Sequence, residues 1–292
     1  MAETLLLTHT DLDGVGCAVL FTGAGPAGGR VELVDNGSID GRVLAALAAL
    51  PAILVTDHGV EAATADRVDA YIAAGGTFTL LDHHRSNEHL RGRPWATVDE
   101  SRSATGLLFD HLGQPAAFAE FTRLVEDHDL WRHHDPRSAR LAALVGLLGH
   151  ERFLSRFSGE PAVAFTAGET LLLDHEDSRR EEYLAKKLEQ ARVFERDGVR
   201  WAVCYAEQYQ SDVAERLMTG LGVVATAVVN PARRTVSLRG RDFDVSAVAE
   251  RQGGGGHARA AAFSFRGSDL EVELARFESS LDAFLGADPP GD

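Results

Sequence analysis

Only two cysteines occur in the 292 residues, Cys17 and Cys204, far apart and with neither a pairing pattern nor zinc-ligand spacing. That scarcity excludes a disulfide framework and a thiolate metal site, and both read as small buried apolar residues. Basic residues are also in deficit: 29 Lys and Arg stand against 44 Asp and Glu, a formal charge of −15. A sequence-independent duplex binder draws most of its affinity from a broad basic face that neutralises phosphates, so a long duplex is not an expected partner. A small anionic substrate held by a few arginines and a metal is compatible with this charge. The most apolar long stretch, Val43–Val55, is too short to span a bilayer and is interrupted by Pro51. Met1-Ala2-Glu3-Thr4 lacks the basic start and apolar run of a signal peptide. No internal repeat or low-complexity tract is visible. These absences lead us to expect a soluble, cytoplasmic protein without membrane contact.

What is present is a regular alternation. Strand-like runs at Thr4–Thr8, Val31–Asp35, Ile53–Thr56 and Phe78–Leu81 are separated by helical stretches at Val15–Thr22, Asp40–Leu50 and Glu61–Ala74. Short apolar strands separated by helices of this length predict a parallel sheet covered on both faces. Ligands bind outside the carboxyl ends of such strands. The polar clusters at 8–13, 35–37, 57–59 and 82–85 all fall there. From Ser101 the pattern turns helical, with Ser103 or Ser101 as N-cap, then apolar faces through Leu112, Ala116–Leu130, Arg140–Leu148 and His150–Phe157. Glu169–Arg196, rich in Leu, Glu, Lys and Arg, reads as a long connecting helix. A second α/β unit follows: strand Trp201–Tyr205, helix Ser211–Thr219, strands Val223–Val229 and Thr235–Arg239, helix Val245–Arg251, a glycine turn, strand Ala260–Phe265 and helix Asp269–Leu285. The tail from Gly286 to Asp292 should fray.

Chemistry concentrates at the strand ends. His9, Asp11 and Asp13 alternate, so they can project to one side from an extended or turning segment, whereas a helix would scatter them. Imidazole and carboxylate without thiolate suit a hard or borderline divalent ion, Mn²⁺ rather than structural Zn²⁺. Gly14 would let the chain turn tightly into its helix. Asp57 adds a carboxylate at a neighbouring strand end, where a ligand bridging two ions could sit. Asp82, His83 and His84 divide naturally into one metal-binding imidazole, one aimed at substrate, and a carboxylate orienting a ring from behind. Taken alone, each cluster reads equally as an N-cap or a solvated loop; together they read as one site. In Glu126-Asp127-His128-Asp129-Leu130-Trp131, Asp127 is favoured as a further ligand because Trp131 would share its helical face, with Asp129 a close rival.

These motifs, in order, resemble the DHH phosphoesterase superfamily, named for the triplet that stands here as Asp82-His83-His84. Gly253-Gly254-Gly255-Gly256-His257 with Ala260-Ala261-Ala262-Phe263 resembles the glycine-rich signature of the associated DHHA1 domain, with Ala262 where members often have Gly. The resemblance covers nearly the whole chain, and the wording around Thr8–Cys17 and Leu81–His84 is most similar to nanoRNase B-type oligoribonucleases. It implies an α/β fold in which a DHH catalytic domain at 1–165, a parallel sheet with helices on both faces, is joined by a connector helix at 166–197 to a smaller α/β DHHA1 domain at 198–286, before a tail at 287–292. The active site would lie in the interdomain cleft.

The resemblance further implies two Mn²⁺ ions, with Mg²⁺ or Co²⁺ as substitutes. His9 and Asp11 would hold one, Asp13, His83 and Asp127 the other, and Asp57 would bridge. His84 would contact the scissile phosphate and Asp82 would orient a histidine. Arg239, at the end of a strand, and the exposed backbone of Gly254, Gly255 and Gly256 with His257 would bind substrate. The implied activity is hydrolysis of short oligoribonucleotides or dinucleotides to mononucleotides by a water activated between two metals. Rival activities are a 3′-phosphoadenosine 5′-phosphate phosphatase and a cyclic dinucleotide phosphodiesterase. A non-catalytic scaffold and a RecJ-like DNA exonuclease are more remote, because every ligand position carries a suitable side chain and no basic nucleic-acid-binding extension is evident. The apolar helices near 103–148 suggest a homodimer contact.

Overall fold

The computed structural model describes residues 4–35, 37–196 and 198–264. Its contacts divide the chain into two compact units, Met1–Glu176 and Asp177–Asp292.

In the first unit β1 (Thr4–Thr8), β2 (Arg30–Leu33), β3 (Ala52–Thr56), β4 (Thr77–Asp82) and β5 (Ala96–Val98) form one sheet in the order β2-β1-β3-β4-β5. Every pairing is parallel. Leu5–Thr8 and Ile53–Thr56 are buried without alternation, the mark of strands covered on both faces. Side chains nevertheless alternate between two cores. Leu6, Leu54 and Leu81 join the core built by α1 (Leu12–Ala24), α4 (Ala104–His111), α5 (Ala119–Asp129), α6 (Pro136–Leu148) and α7 (His150–Gly159). Leu5, Leu7, Ile53, Val55 and Leu80 pack on the opposite side with α2 (Ile39–Leu47) and α3 (Ala62–Ala73). Helix starts are capped by side chains: Asp11 accepts the Gly14 N–H, Ser103 the Gly106 N–H and Asp135 the Arg137 N–H, with Pro136 opening α6. Strand β5 has three residues, too few to register as a pattern in sequence.

Among the described residues the second unit has six strands, in the order β10-β11-β9-β8-β7-β6. They are β6 (Arg192–Arg196), β7 (Val199–Tyr205), β8 (Ala225–Asn230), β9 (Thr235–Gly240), β10 (Gly255–His257) and β11 (Ala260–Ser264). Strands β7 and β8 run parallel, joined through α9 (Gln210–Leu221), and the other pairs are antiparallel. Helix α10 (Ser246–Arg251) packs on the other face, where Val245 and Ala249 join a core with Trp201, Val236 and Leu238. The connecting helix α8 is Ala167–Gln190, shorter than the expected Glu169–Arg196. Its last residues instead pair antiparallel with β7 as β6, an edge strand whose charged Arg192, Glu195 and Arg196 suit an exposed edge. The expected glycine turn is likewise partly a strand, since Gly255–His257 pair with Ala260–Ala262. The expected helix Asp269–Leu285 and the tail lie outside the described residues.

Candidate metal centre

The site grows from the carboxyl ends of β1, β3 and β4, beside the point where chain order reverses between β2-β1 and β3-β4-β5. Buried hydroxyls tie the first two ends together: Thr56 Oγ1 donates to Thr8 Oγ1 (2.8 Å), which donates to the Gly14 carbonyl (2.9 Å). Helix α1 starts so close to His9 that a Cβ on Gly14 would collide with the His9 carbonyl. Glycine is the residue this turn admits. The expectation that His9, Asp11 and Asp13 all lie in extended or loop chain is corrected here: Asp11 is the N-cap of α1, and Asp13 is already in its first turn.

His9 Nδ1 lies 3.0 Å from Asp11 Oδ2 and 3.8 Å from Asp57 Oδ2. His83 Nε2 lies 3.4 Å from Asp57 Oδ1, 3.5 Å from Asp129 Oδ2 and 3.8 Å from Asp13 Oδ2. Asp57 has φ +56°, a left-handed conformation that Asp tolerates better than most residues. Its N–H is fixed by the Leu81 carbonyl at 3.1 Å. Asp82 stands behind the cluster, fully buried. Its carboxylate bonds His84 Nδ1 (2.8 Å) and accepts from Asn87 Nδ2 (2.6 Å).

Crowding sets the protonation behaviour. Burial pushes the Asp57 carboxyl well above its usual value, and Asp13, Asp11 and Asp129 push it the same way. Asp129 is pushed up to about 8, by burial first and then by Asp13 and Asp11. Burial also raises Asp13, against the pull of His83 and hydrogen bonds from Thr105, and it lowers His83. The outer pairs go the other way. Bonding to Asp82 raises His84 and bonding to Asp11 raises His9. Enclosure resists ionisation of Asp11 and Asp82, yet their imidazole partners hold both carboxyls below the ordinary range.

Asp57 Oδ2, His83 Nε2 and Asp129 Oδ2 are buried and lack a hydrogen-bond partner. Buried polar atoms are nearly always satisfied, so three orphans in one acidic cluster suit a cation. Among the described residues, three donor sets have their ligand atoms within 4.8 Å of one another: His9, Asp11 and Asp57; Asp57, His83 and His84; Asp13, His83 and Asp129. Asp57 and His83 are each shared by two sets. Carboxylate and imidazole donors fit a hard or borderline divalent ion, so the residues present fit the metal that the motifs suggest.

Of the sequence-predicted residues, His9, Asp11, Asp13, Asp57, His83 and His84 come together and Asp82 supports them. Asp127 does not join them; Asp129, its rival, lies with Asp13 and His83 instead. Residues two apart on a helix point about 200° apart, so α5 can turn only one of them to the site. Asp127 turns to the loop after the helix, where its carboxylate accepts the His134 (2.9 Å) and Asp135 (3.2 Å) N–H groups. Trp131 does not share a helical face with it. It lies beyond the end of α5, half-exposed, with φ +54°. In the second unit, Arg239 on β9 bonds Ser211 Oγ (3.0 Å). It stands in register with Ala260, which pairs with His257. Side chains at Gly254 and Gly256 would meet β11, while Gly255 faces open space.

Three supports were not anticipated. His58 is buried, with Nε2 2.9 Å from the Val34 carbonyl and its ring 5.1 Å edge-on to His9. Asn87 bonds Asp82, and Gly59 leaves room for it. The start of α4 clamps Asp13: the Ala104 (2.6 Å) and Thr105 (2.9 Å) N–H groups donate to its two carboxylate oxygens, and Thr105 Oγ1 to its carbonyl (2.7 Å). His58, next to Asp57, was visible in sequence; the other two require the fold.

No family model matches the chain. The curated oligoribonuclease NrnB of Bacillus subtilis is 33% identical over 302 residues, covering 92% of this chain and 75% of that protein. Among solved structures, the pGpG-specific phosphodiesterase PggH from Vibrio cholerae matches with a TM-score of 0.58 at 12% identity, over 96% of this chain and 99% of that one. Exonuclease RecJ bound to manganese matches with a TM-score of 0.50 at 19% identity, over 99% and 91%. These two share the fold. The chain belongs to the DHH phosphoesterase family. Within it the chain is of the nanoRNase B type, an enzyme that hydrolyses phosphodiester bonds.

Proposed function

We propose that this enzyme is a Mn²⁺-dependent phosphodiesterase that releases mononucleotides from short oligoribonucleotides and dinucleotides in the cytoplasm. The observation that carries the reading is the run of three donor sets joined through Asp57 and His83, with the orphaned Asp57, His83 and Asp129 atoms. In this reading His9, Asp11 and Asp57 hold one ion, and Asp13, His83, Asp129 and Asp57 hold the second. Two bound divalent ions would supply an activated water and neutralise charge developing on the phosphate.

The protein's own groups do the rest. Asp82 fixes the His84 ring through Nδ1 at 2.8 Å, which leaves Nε2 for a phosphate oxygen. Because Asp82 raises the His84 pKa, that ring meets the phosphate as a cation-biased donor. Arg239, the backbone of Gly254, Gly255 and Gly256, and His257 are proposed to bind substrate. Burial disfavours the charge of Arg239, and an anionic partner would compensate that cost. The charge of −15 favours a short substrate over a long duplex, and the relative's oligoribonuclease name agrees in class. Among the described residues no helix is long and apolar enough to cross a membrane.

The test is incubation of purified protein and Mn²⁺ with RNAs of two to five residues. Mononucleotide release is expected, faster than release of phosphate from 3′-phosphoadenosine 5′-phosphate or opening of a cyclic dinucleotide. Absence of mononucleotide release rejects the proposal.

A further inference from the structure

The loop after α5 carries an arrangement that neither metal binding nor packing explains. Trp131 is 50% exposed, whereas the other tryptophans, Trp95 and Trp201, are 8% and 9% exposed. Both Trp131 (φ +54°) and His133 (φ +52°) hold left-handed backbone, which is costly for bulky side chains. Their rings meet edge-on at 4.4 Å, and His128 lies 6.2 Å from the indole. Strain of this kind persists only where the surroundings enforce it, and here they do. The Asp127 carbonyl accepts the Arg132 (2.9 Å) and His133 (3.3 Å) N–H groups, and its carboxylate accepts those of His134 and Asp135. Arg132 is fastened to Glu126 (3.0 Å) and to the Ser101 carbonyl (3.3 Å). A rigid scaffold therefore holds an indole out toward solvent. It does so two residues after Asp129, so the two Cα atoms are at most about 7.6 Å apart.

We propose that Trp131, braced by His133, is a stacking platform for a nucleobase of the substrate and determines its preference for base-bearing phosphodiesters. The inference rests on the phosphodiesterase reading above. A base is tethered to the scissile phosphate through one ribose, a span that suits a platform beside the metal centre. Stacking on an indole needs no positive charge, which fits an acidic protein, and it accepts any base because each has a π-face. Asp127 acts through the loop and is a positioning residue.

The experiment compares hydrolysis of pGpG and of the same dinucleotide lacking both bases, with Mn²⁺, by the parent, Trp131→Ala and Trp131→Phe. In Trp131→Ala the KM for pGpG should rise by about 5- to 150-fold, the range of one lost base stack. Its kcat should change by only a few fold, and its KM for the abasic compound by less than about three-fold. Trp131→Phe should recover most of the loss. A parental KM for pGpG in Trp131→Ala, or an equal loss on both substrates, overturns the platform while leaving the phosphodiesterase reading intact. If the parent cleaves neither compound, that reading fails on its own. The platform is then judged by indole fluorescence: pGpG should quench the parent and not Trp131→Phe, and absence of quenching in the parent rejects it.

Discussion

Asp127 and Asp129 flank the same histidine and have the same chemistry, yet they part company on what each leaves unsatisfied. Both carboxylate oxygens of Asp127 take backbone N–H groups, while Asp129 keeps Oδ2 buried without a partner. Asp127→Ala should therefore destabilise the fold by about 2–4 kcal/mol, the cost of orphaning two N–H groups, with manganese affinity largely kept. Asp129→Ala should do the reverse, weakening manganese binding by more than the roughly 10- to 100-fold that a supporting residue costs a metal site. Urea melts and manganese titrations of the two variants check this; loss of affinity in Asp127→Ala with none in Asp129→Ala would refute the assignment. In the sequence the pair is indistinguishable. Which one faces the site depends on where α5 ends and where the loop folds back, and neither is a local property. His9, Asp57 and His83 were legible because β-strands of continuous apolar residues end abruptly in polar groups, and in a parallel sheet such ends converge.

Elements were legible to the extent that their patterns exceeded their lengths. The four longer parallel strands declare themselves through runs such as Leu5–Leu7 and Ile53–Val55, whereas β6 was hidden by helix-favouring charges and β10 by its glycines. Two elements carry tests. Asp135 caps α6 and pairs with Arg137 and Arg123, and those guanidiniums, Arg137 first, hold its carboxyl well below the ordinary range. A depressed folded value means that its contribution is complete above the unfolded value, near 3.9, and lost as pH falls through the folded one. Asp135→Ala should cost about 1–2 kcal/mol at pH 7, and the gap from the parent should narrow in melts taken below about pH 3. At the start of α1, Gly14→Ala forces a methyl against the His9 carbonyl. It should cost about 1–3 kcal/mol and displace His9, so weaker manganese binding should accompany the lower melting point.

At the scale of the molecule, two units with separate cores predict unfolding that is not a single two-state transition. Manganese should raise only the transition of the unit that carries the cluster, by about 2.7 kcal/mol at a hundred-fold excess over its dissociation constant. Chelation should reverse the shift, and Asp57→Asn, which keeps a residue tolerant of left-handed backbone, should abolish it. Calorimetry with and without manganese decides; an equal shift of both transitions, or a shift surviving in Asp57→Asn, contradicts the shared role of Asp57.

The carboxylate of Asp13 belongs to one of the candidate donor sets and at the same time receives the first amides of α4. Those amides would thus report on a bound ion. In the proposed reading the ion would hold Asp13 as the carboxylate they need; without it, burial pushes the Asp13 carboxyl up, and protonation makes a carboxyl a poorer acceptor. The Ala104 and Thr105 amides should then be among the first in the helical layer to trade hydrogen for deuterium, well before the sheet beneath them loosens.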